Sequence, residues 1–309
     1  MERFNPLIAL LGPTTSGKSK LAIEIAQKVG GEILNIDSLT LYKHLNIGTA
    51  KPSVEEKKAV RHHLLDIREL GENVTVVDFV RMADETIKQV AETGRRPILV
   101  AGSPLYFYSL ISVSFQPPPT DMAVRKNLLK RANSEGLTAL YSELKERDHI
   151  YAAKISPQDR KRIIRALEVI QLTGEPFSSF GRSVLQGEER YHLLKIGLNP
   201  ERNHLKERIR LRTAGMVEAG LVEEVKNLLI SGVSPDSACF GSIGYREALA
   251  YIRTEITLEE MVDLINKRTF SYAKHQMTWF KRDRNIHWFD FKNKEEFNKI
   301  KQEILEICC

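Results

Sequence analysis

The 309-residue sequence predicts an α/β protein, with a parallel sheet covered by helices on both faces and interrupted by an all-helical insertion. Three observations carry this prediction. Short apolar runs alternate with helix-period segments through the first third of the chain, the pattern of parallel strands joined by helical crossovers. The alternation stops at Pro117, Pro118 and Pro119, and only helical segments follow to about Gly174. A strand pattern then returns at residues 192–196, so one core resumes after an insertion. The expected division is 1–116 and 190–309 for the core and 117–189 for the insertion.

In chain order, residues 6–11 form a buried strand by their unbroken apolar run, and 18–29 a helix closed by Gly30 and Gly31. Residues 32–36 are a second strand ending at Asp37 and Ser38, and 63–67 a weaker third. Residues 75–91 have helical periodicity and stop at Thr93 and Gly94, before a strand at 97–101. The insertion reads as helices at 121–132, 137–146 and 157–172, followed by a loop at 181–187. After the strand at 192–196 come helices at 200–219, 221–230, 243–252 and 258–280. A last strand at 286–290 precedes a charged terminal helix.

The composition, 42% hydrophobic, excludes a disordered chain. No uncharged apolar run approaches the ~18–20 residues of a membrane span. The N-terminus has a short apolar stretch without a small-residue cleavage site, so it does not read as a signal peptide. Cys239, Cys308 and Cys309 build no disulfide framework, and the expected compartment is a reducing cytoplasm. The net charge is +6 and unevenly placed. Residues 123–165 hold eleven Lys/Arg against five Asp/Glu, and 267–288 hold six against one. The second stretch interleaves Phe270, Tyr272, Trp279, Phe280 and Trp288. Basic segments with aromatics suit a polyanion partner; solvated amphipathic helices are the alternative.

Gly12-Pro13-Thr14-Thr15-Ser16-Gly17-Lys18-Ser19 matches G-x-x-x-x-G-K-[ST] between a predicted strand and a predicted helix. The glycines let N–H groups converge on phosphate oxygens at a helix N-terminus, Lys18 adds a point charge, and Ser19 offers a hydroxyl to Mg²⁺. The fold class therefore sharpens to a P-loop NTPase-like sheet that binds a diphosphate or triphosphate. An NTPase also needs a second carboxylate for the metal, but the clearest later strand ends in Ala101 and Gly102. Asp37 and Asp66 close shorter apolar runs. Such a carboxylate holds a metal, takes a proton from a nucleophile, or caps a turn, and the residues alone leave these open.

The motifs together resemble the bacterial tRNA dimethylallyltransferases (tRNA isopentenyltransferases) along nearly the whole chain. They comprise residues 12–19, Asp37 and Ser38, 47–52, His62, His63 and Asp66, then 159–168 with Thr173 and Gly174. Arg208, Arg212, Met216, 220–224, 243–247, 272–276, Thr278 and Trp279 complete the set. The resemblance implies transfer of a dimethylallyl group from dimethylallyl diphosphate to N6 of the adenosine 3′ of the anticodon, with Mg²⁺ as cofactor. It implies Asp37 as general base, and Thr14, Lys18 and Arg212 as further catalytic residues. It implies diphosphate binding by Gly12 to Ser19 and Arg208; for Arg208 and Arg212 a surface ion pair with Glu201 or Glu207 is the alternative.

For tRNA it implies contacts by Asp37, Ser38, Leu39, Thr40, Ser103, Arg125, Lys161, Arg162, Ile163, Ile164, Arg165, Tyr245, Arg246, Lys274 and Gln276. The insertion is expected to grip the RNA, and the protein to act as a monomer. The chain departs from the family pattern at Ser103 and Pro104, where Pro104 removes a backbone donor, and at His275, and it lacks ligands for a C-terminal zinc finger. Rival readings are a kinase binding ATP in the same loop, a prenyltransferase acting on free adenine nucleotides, and a non-enzymatic RNA-binding module.

Overall fold

A computed structural model describes residues 6–113, 117–180 and 188–308. The expected loop at 181–187 lies outside the described residues. The chain divides into two compact units: one runs to Ile111 and resumes at Tyr191, and the other spans Ser112–Arg190.

The first unit is built on six strands, β1 (Leu7–Leu11), β2 (Gly31–Ile36), β3 (His62–His63), β4 (Arg96–Ala101), β5 (Leu193–Pro200) and β6 (His287–Phe291). They form one sheet in the order β3-β2-β4-β1-β5-β6, and every neighbouring pair is parallel. Ile8 pairs with Ile98 and Leu194, and Leu10 with Val100 and Ile196. Because side chains alternate across a strand, these residues share one face. Leu21 and Ile25 of the Lys18–Val29 helix and Ile304 of the Lys294–Cys308 helix cover that face. A parallel arrangement brings the C-terminal ends of all strands to one edge, where such sheets bind ligands.

Elsewhere the structure corrects the expected elements. The third strand shrinks from 63–67 to His62–His63, because Leu64 and Asp66 adopt φ of +59° and +54°, which no strand accommodates. Pro200 ends β5, so the next helix is Arg202–Glu218, capped by the Glu201 carboxylate. Two short helices, Val54–Ala59 and Pro104–Ile111, carry too little periodicity to be read from sequence. Pro104 is the first residue of its helix, and the Phe107 N–H bonds back to the Ser103 carbonyl at 3.0 Å. A proline there removes a donor that the helix leaves unpaired anyway, so this departure costs no hydrogen bond.

The second unit packs Leu128, Leu140, Leu144, Ile163, Ile164, Leu167 and Ile170 into its own core, drawn chiefly from the helices Met122–Ser134, Leu137–Arg147 and Arg160–Thr173. Among the described residues no helix is long and apolar enough to cross a membrane.

Candidate active site

The phosphate loop leaves β1 at Gly12, whose φ is +130° and where an added Cβ would stand 2.4 Å from the Leu198 carbonyl oxygen. Only glycine combines that conformation with that approach to β5. The loop then opens the Lys18–Val29 helix, whose unpaired N–H groups and positive dipole end favour an anion. Lys18 folds back over the loop, donating to the carbonyls of Gly12 (2.8 Å) and Pro13 (2.7 Å). Burial, reinforced by the Arg212 guanidinium, pushes the Lys18 ammonium down to about 7, and Asp37 opposes the shift. Among the described residues the buried Thr15 hydroxyl has no hydrogen-bond partner, and Thr15 itself holds φ +62°. A buried orphan beside a cationic loop is the kind of group a phosphate oxygen satisfies.

Two arginines one turn apart on the Arg202–Glu218 helix close over the loop. Arg208 Nε donates to the Thr15 carbonyl at 2.6 Å, and Arg212 donates to Thr14 Oγ1 at 2.9 Å. Neither pairs with Glu201 or Glu207: Glu201 caps its helix, and Glu207 lies 3.6 Å from Arg210. Burial lowers the pKa of both guanidinium groups, with Asp37 opposing the shift at Arg212. Among the described residues neither forms an ion pair with a carboxylate, which leaves N–H donors on both for an anion.

Asp37 closes β2. Its Oδ1 accepts the Leu39 N–H at 2.8 Å, a turn-capping bond, while Oδ2 is turned toward Gly102 at the end of β4. An added Cβ on Gly102 would meet Asp37 Oδ2 at 2.5 Å. The strand beside the phosphate loop thus ends in a residue without a side chain, and the carboxylate from one strand further out occupies that space. The Gly102 carbonyl accepts Gln276 Nε2 at 2.6 Å and the Tyr272 hydroxyl at 3.1 Å, and Gln276 Oε1 accepts the Thr14 N–H at 2.8 Å. The Leu258–Phe280 helix therefore ties the β1 and β4 loops together. Burial raises the Tyr272 phenol, and the Tyr106 phenol to about 12, with Asp37 reinforcing both, so each remains a protonated donor at neutral pH. Arg212 also lines a cleft of about 770 Å³, together with Lys43, Lys51, Lys57 and Asp66.

The structure thus gathers Gly12 to Lys18, Asp37, Arg208 and Arg212. Ser19 is exposed on the first turn of its helix, and Ser38 is half-buried next to Asp37. Several residues expected to meet RNA are placed otherwise. Gln276 is buried between the two loops, as above. Tyr245 is fully buried and donates to Glu224 at 2.5 Å. Thr40 is buried, and Leu39 packs against the cluster around Tyr245. Ile163 and Ile164 lie inside the core of the insertion, so their side chains offer no contact surface.

Arg125 and Arg165 both bind the buried Glu168 carboxylate, at 2.7 and 2.9 Å, and Arg165 also donates to the carbonyls of Pro118 and Pro119. Arg246 bonds Glu247 at 3.2 Å. Lys161, Arg162 and Lys274 are exposed, with Arg162 3.3 Å from Asp159, and Ser103 is half-buried with its N–H on the Ile36 carbonyl. Sequence reasoning missed Tyr272 as a site residue, although its spacing of four from Gln276 sets both on one helix face.

Comparison with known proteins agrees with this geometry. The IPP transferase family model matches residues 40–283. A tRNA dimethylallyltransferase of Geobacter metallireducens is 43% identical over 293 residues, 95% of each chain. The solved full-length tRNA isopentenylpyrophosphate transferase of Bacillus halodurans is 36% identical, covering 99% of this chain and 98% of that one, with a TM-score of 0.69. A eukaryotic dimethylallyltransferase captured acting on tRNA is 26% identical, covering 96% of this chain and 77% of that one, with a TM-score of 0.76. A phosphate loop closed by paired arginines, an Asp37 reaching across Gly102, and these relationships over nearly the full length make the chain a member of the IPP transferase family.

Proposed function

We propose that this protein transfers the dimethylallyl group of dimethylallyl diphosphate to N6 of the adenosine 3′ of the anticodon in tRNA, releasing diphosphate. The observation that carries the reading is the placement of Asp37. A kinase or NTPase of this architecture needs a carboxylate at the end of a strand beside the loop; of the two strands that flank β1, β4 runs into Gly102, and β5 ends in Pro200, followed by a Glu201 that caps its own helix. Asp37 reaches the same region from β2 and stands in the field of Lys18 and Arg212.

A carboxylate so placed accepts a proton from a nucleophile brought up to the phosphate-bearing carbon. The N6 lone pair is delocalised into the adenine ring, so the amine gains from a base as its bond to the allylic carbon forms. The C–O bond to diphosphate breaks in the same displacement, and the N6 proton passes to Asp37. Charge gathers on the departing diphosphate, where Lys18, Arg208, Arg212, Thr14 and the loop N–H groups are already aimed. Among the described residues no cluster of three His, Cys, Asp or Glu forms a protein cage for a metal. Mg²⁺ would therefore be held jointly by the exposed Ser19 hydroxyl and diphosphate oxygens, an oxygen-only set that suits it, and it would neutralise leaving-group charge. The target adenosine lies in a single-stranded loop, from which a base can be drawn into a pocket. Lys161 and Arg162 of the insertion suit backbone phosphates, and the protein acts as a cytoplasmic monomer.

The test uses labelled dimethylallyl diphosphate and Mg²⁺ with an unmodified anticodon stem–loop carrying three consecutive adenosines, and separately with AMP. Label in the RNA alone is expected. Label in AMP would move the activity to free nucleotides, and label in neither, with ATP consumed, would make the protein a kinase.

A further inference from the structure

Three cations crowd one aromatic ring on the surface of the first unit. Phe270 of the Leu258–Phe280 helix packs against Leu205, Ile209 and Ala273 in the seam with the Arg202–Glu218 helix. The Arg202 guanidinium lies 5.6 Å from the ring centre, and the ammonium groups of Lys206 and Lys274 lie 5.5 Å from it. All three cations are exposed. Among the described residues none of them has a carboxylate partner, although Arg210 on the same helix does, in Glu207. Glu201, the acid next in sequence, accepts the N–H groups of Asn203 and His204 instead.

This cluster is not part of the diphosphate site. Arg202 and Lys206 precede Arg208 and Arg212 by six residues, and Phe270 precedes Gln276 by six. At roughly 100° per residue, six residues turn both sets about 120° away from the phosphate loop. The ring's negative face draws each cation inward while the cations repel one another. An anion at their focus converts that repulsion into attraction to a shared partner, so the array is preorganised for a phosphate.

We propose that Arg202 and Lys206, gathered by Phe270 beside the Lys274 that the resemblance already implies for RNA, form a further binding site for backbone phosphates of the RNA substrate, separate from the reacting centre. This rests on the reading of the protein as a tRNA-modifying enzyme. The site adds electrostatic affinity without touching the target base. Arg202 and Lys206 stand on the same helix as Arg208 and Arg212, turned about 120° from them.

The experiment measures anisotropy of a labelled anticodon stem–loop across a salt series, with calorimetric binding of dimethylallyl diphosphate in parallel. The Arg202→Gln/Lys206→Gln variant is expected to bind RNA roughly tenfold more weakly, and to flatten the log–log salt slope by about 1.4, two contacts at ~0.7 each. The charge-preserving Arg202→Lys/Lys206→Arg variant should keep the wild-type slope, and diphosphate affinity should not move. Phe270→Leu, which keeps the apolar seam, should weaken RNA binding several-fold by releasing the cations from their focus. A wild-type slope and affinity in the Gln variant would overturn the site while leaving the enzymatic reading intact. If wild-type protein transfers no label to RNA yet the Gln variant still loses slope, the enzymatic reading fails and the RNA site stands.

Discussion

Asp37 and Lys18 have opposite roles that the same few ångströms enforce. Asp37 has room to act because Gly102 lacks a side chain: an added Cβ would meet its Oδ2 at 2.5 Å. Asp37→Ala is expected to cut turnover at least ~10²-fold, the usual worth of a general base, with RNA binding held within a few-fold. Gly102→Ala, which leaves the carboxylate present but displaced, should lose turnover in the same assay; unchanged turnover in Asp37→Ala would remove Asp37 from the mechanism, and in Gly102→Ala alone it would remove only the need for that space. Lys18 makes a prediction in pH. Its ammonium titrates near 7 in the free protein because it is buried beside Arg212. A bound diphosphate favours the charged form and raises that pKa, so binding takes up a proton above pH 7. Diphosphate affinity should then be highest below pH 7 and fall by up to ~10-fold per pH unit above it, until the pKa of the complex is reached. Calorimetry at pH 8 in buffers of different ionisation enthalpy should show uptake approaching one proton, and Lys18→Met should abolish it. The phosphate loop was legible residue by residue, since one contiguous stretch determines its geometry. The space above Gly102 was not, because it depends on two strand ends 65 residues apart in sequence.

Three motif segments, 47–52, 220–224 and 243–247, meet in one network that no periodicity foretells. The Glu224 carboxylate accepts the N–H groups of Asn46 (3.1 Å), Ile47 (2.9 Å) and Gly48 (3.3 Å) together with the Tyr245 hydroxyl (2.5 Å). This carboxylate fixes the segment that carries Lys51, whose buried ammonium pairs with Asp66 at 2.5 Å beside the Arg212 cleft. Tyr245 therefore holds a loop rather than facing RNA, and its phenol is raised by burial and by Glu224. Glu224→Ala leaves the buried Tyr245 and three less buried N–H groups without this acceptor and is expected to cost about 1–3 kcal/mol of stability, read by thermal or urea unfolding, because an unpaired buried donor costs more than its bond returns. Glu224→Gln, which keeps acceptor oxygens, should lose less. Elements whose signal is local were legible in sequence: the Leu221–Ile230 and Leu258–Phe280 helices match their periodicity to the residue. The third strand was not, since His62 and His63 pair with Ile33 and Leu34 only before left-handed turns end the run.

At the scale of the whole molecule, charge counted along the chain overstates the charge offered to a partner. In residues 123–165 the composition places eleven cations. Glu168 binds Arg125 and Arg165, while Glu135 and Glu143 bind Arg131, and Glu143 also lies 3.4 Å from Arg147. A helical period sets Arg165 and Glu168 three residues apart on one helix, but it does not show that Glu168 is buried or that Arg125 of a different helix shares it. That is why the Lys161-to-Arg165 stripe was legible as basic and Arg165 as its member, although Arg165 is committed to Glu168 and to two proline carbonyls. Two kinds of cation follow, and they separate by experiment. Lys161→Gln/Arg162→Gln removes exposed charge, so it should lower RNA affinity and flatten the salt slope by about 1.4–1.8, at ~0.7–0.9 per contact, with the unfolding midpoint unmoved. Glu168→Ala instead leaves two arginines uncompensated around a buried position and should destabilise the insertion by about 3–5 kcal/mol. Its RNA-binding salt slope, measured at a temperature where the insertion remains folded, should stay at the wild-type value. A steeper slope in the Glu168 variant would mean that Arg125 and Arg165, once released, reach RNA phosphates, and a flatter one that the acid positions them for RNA.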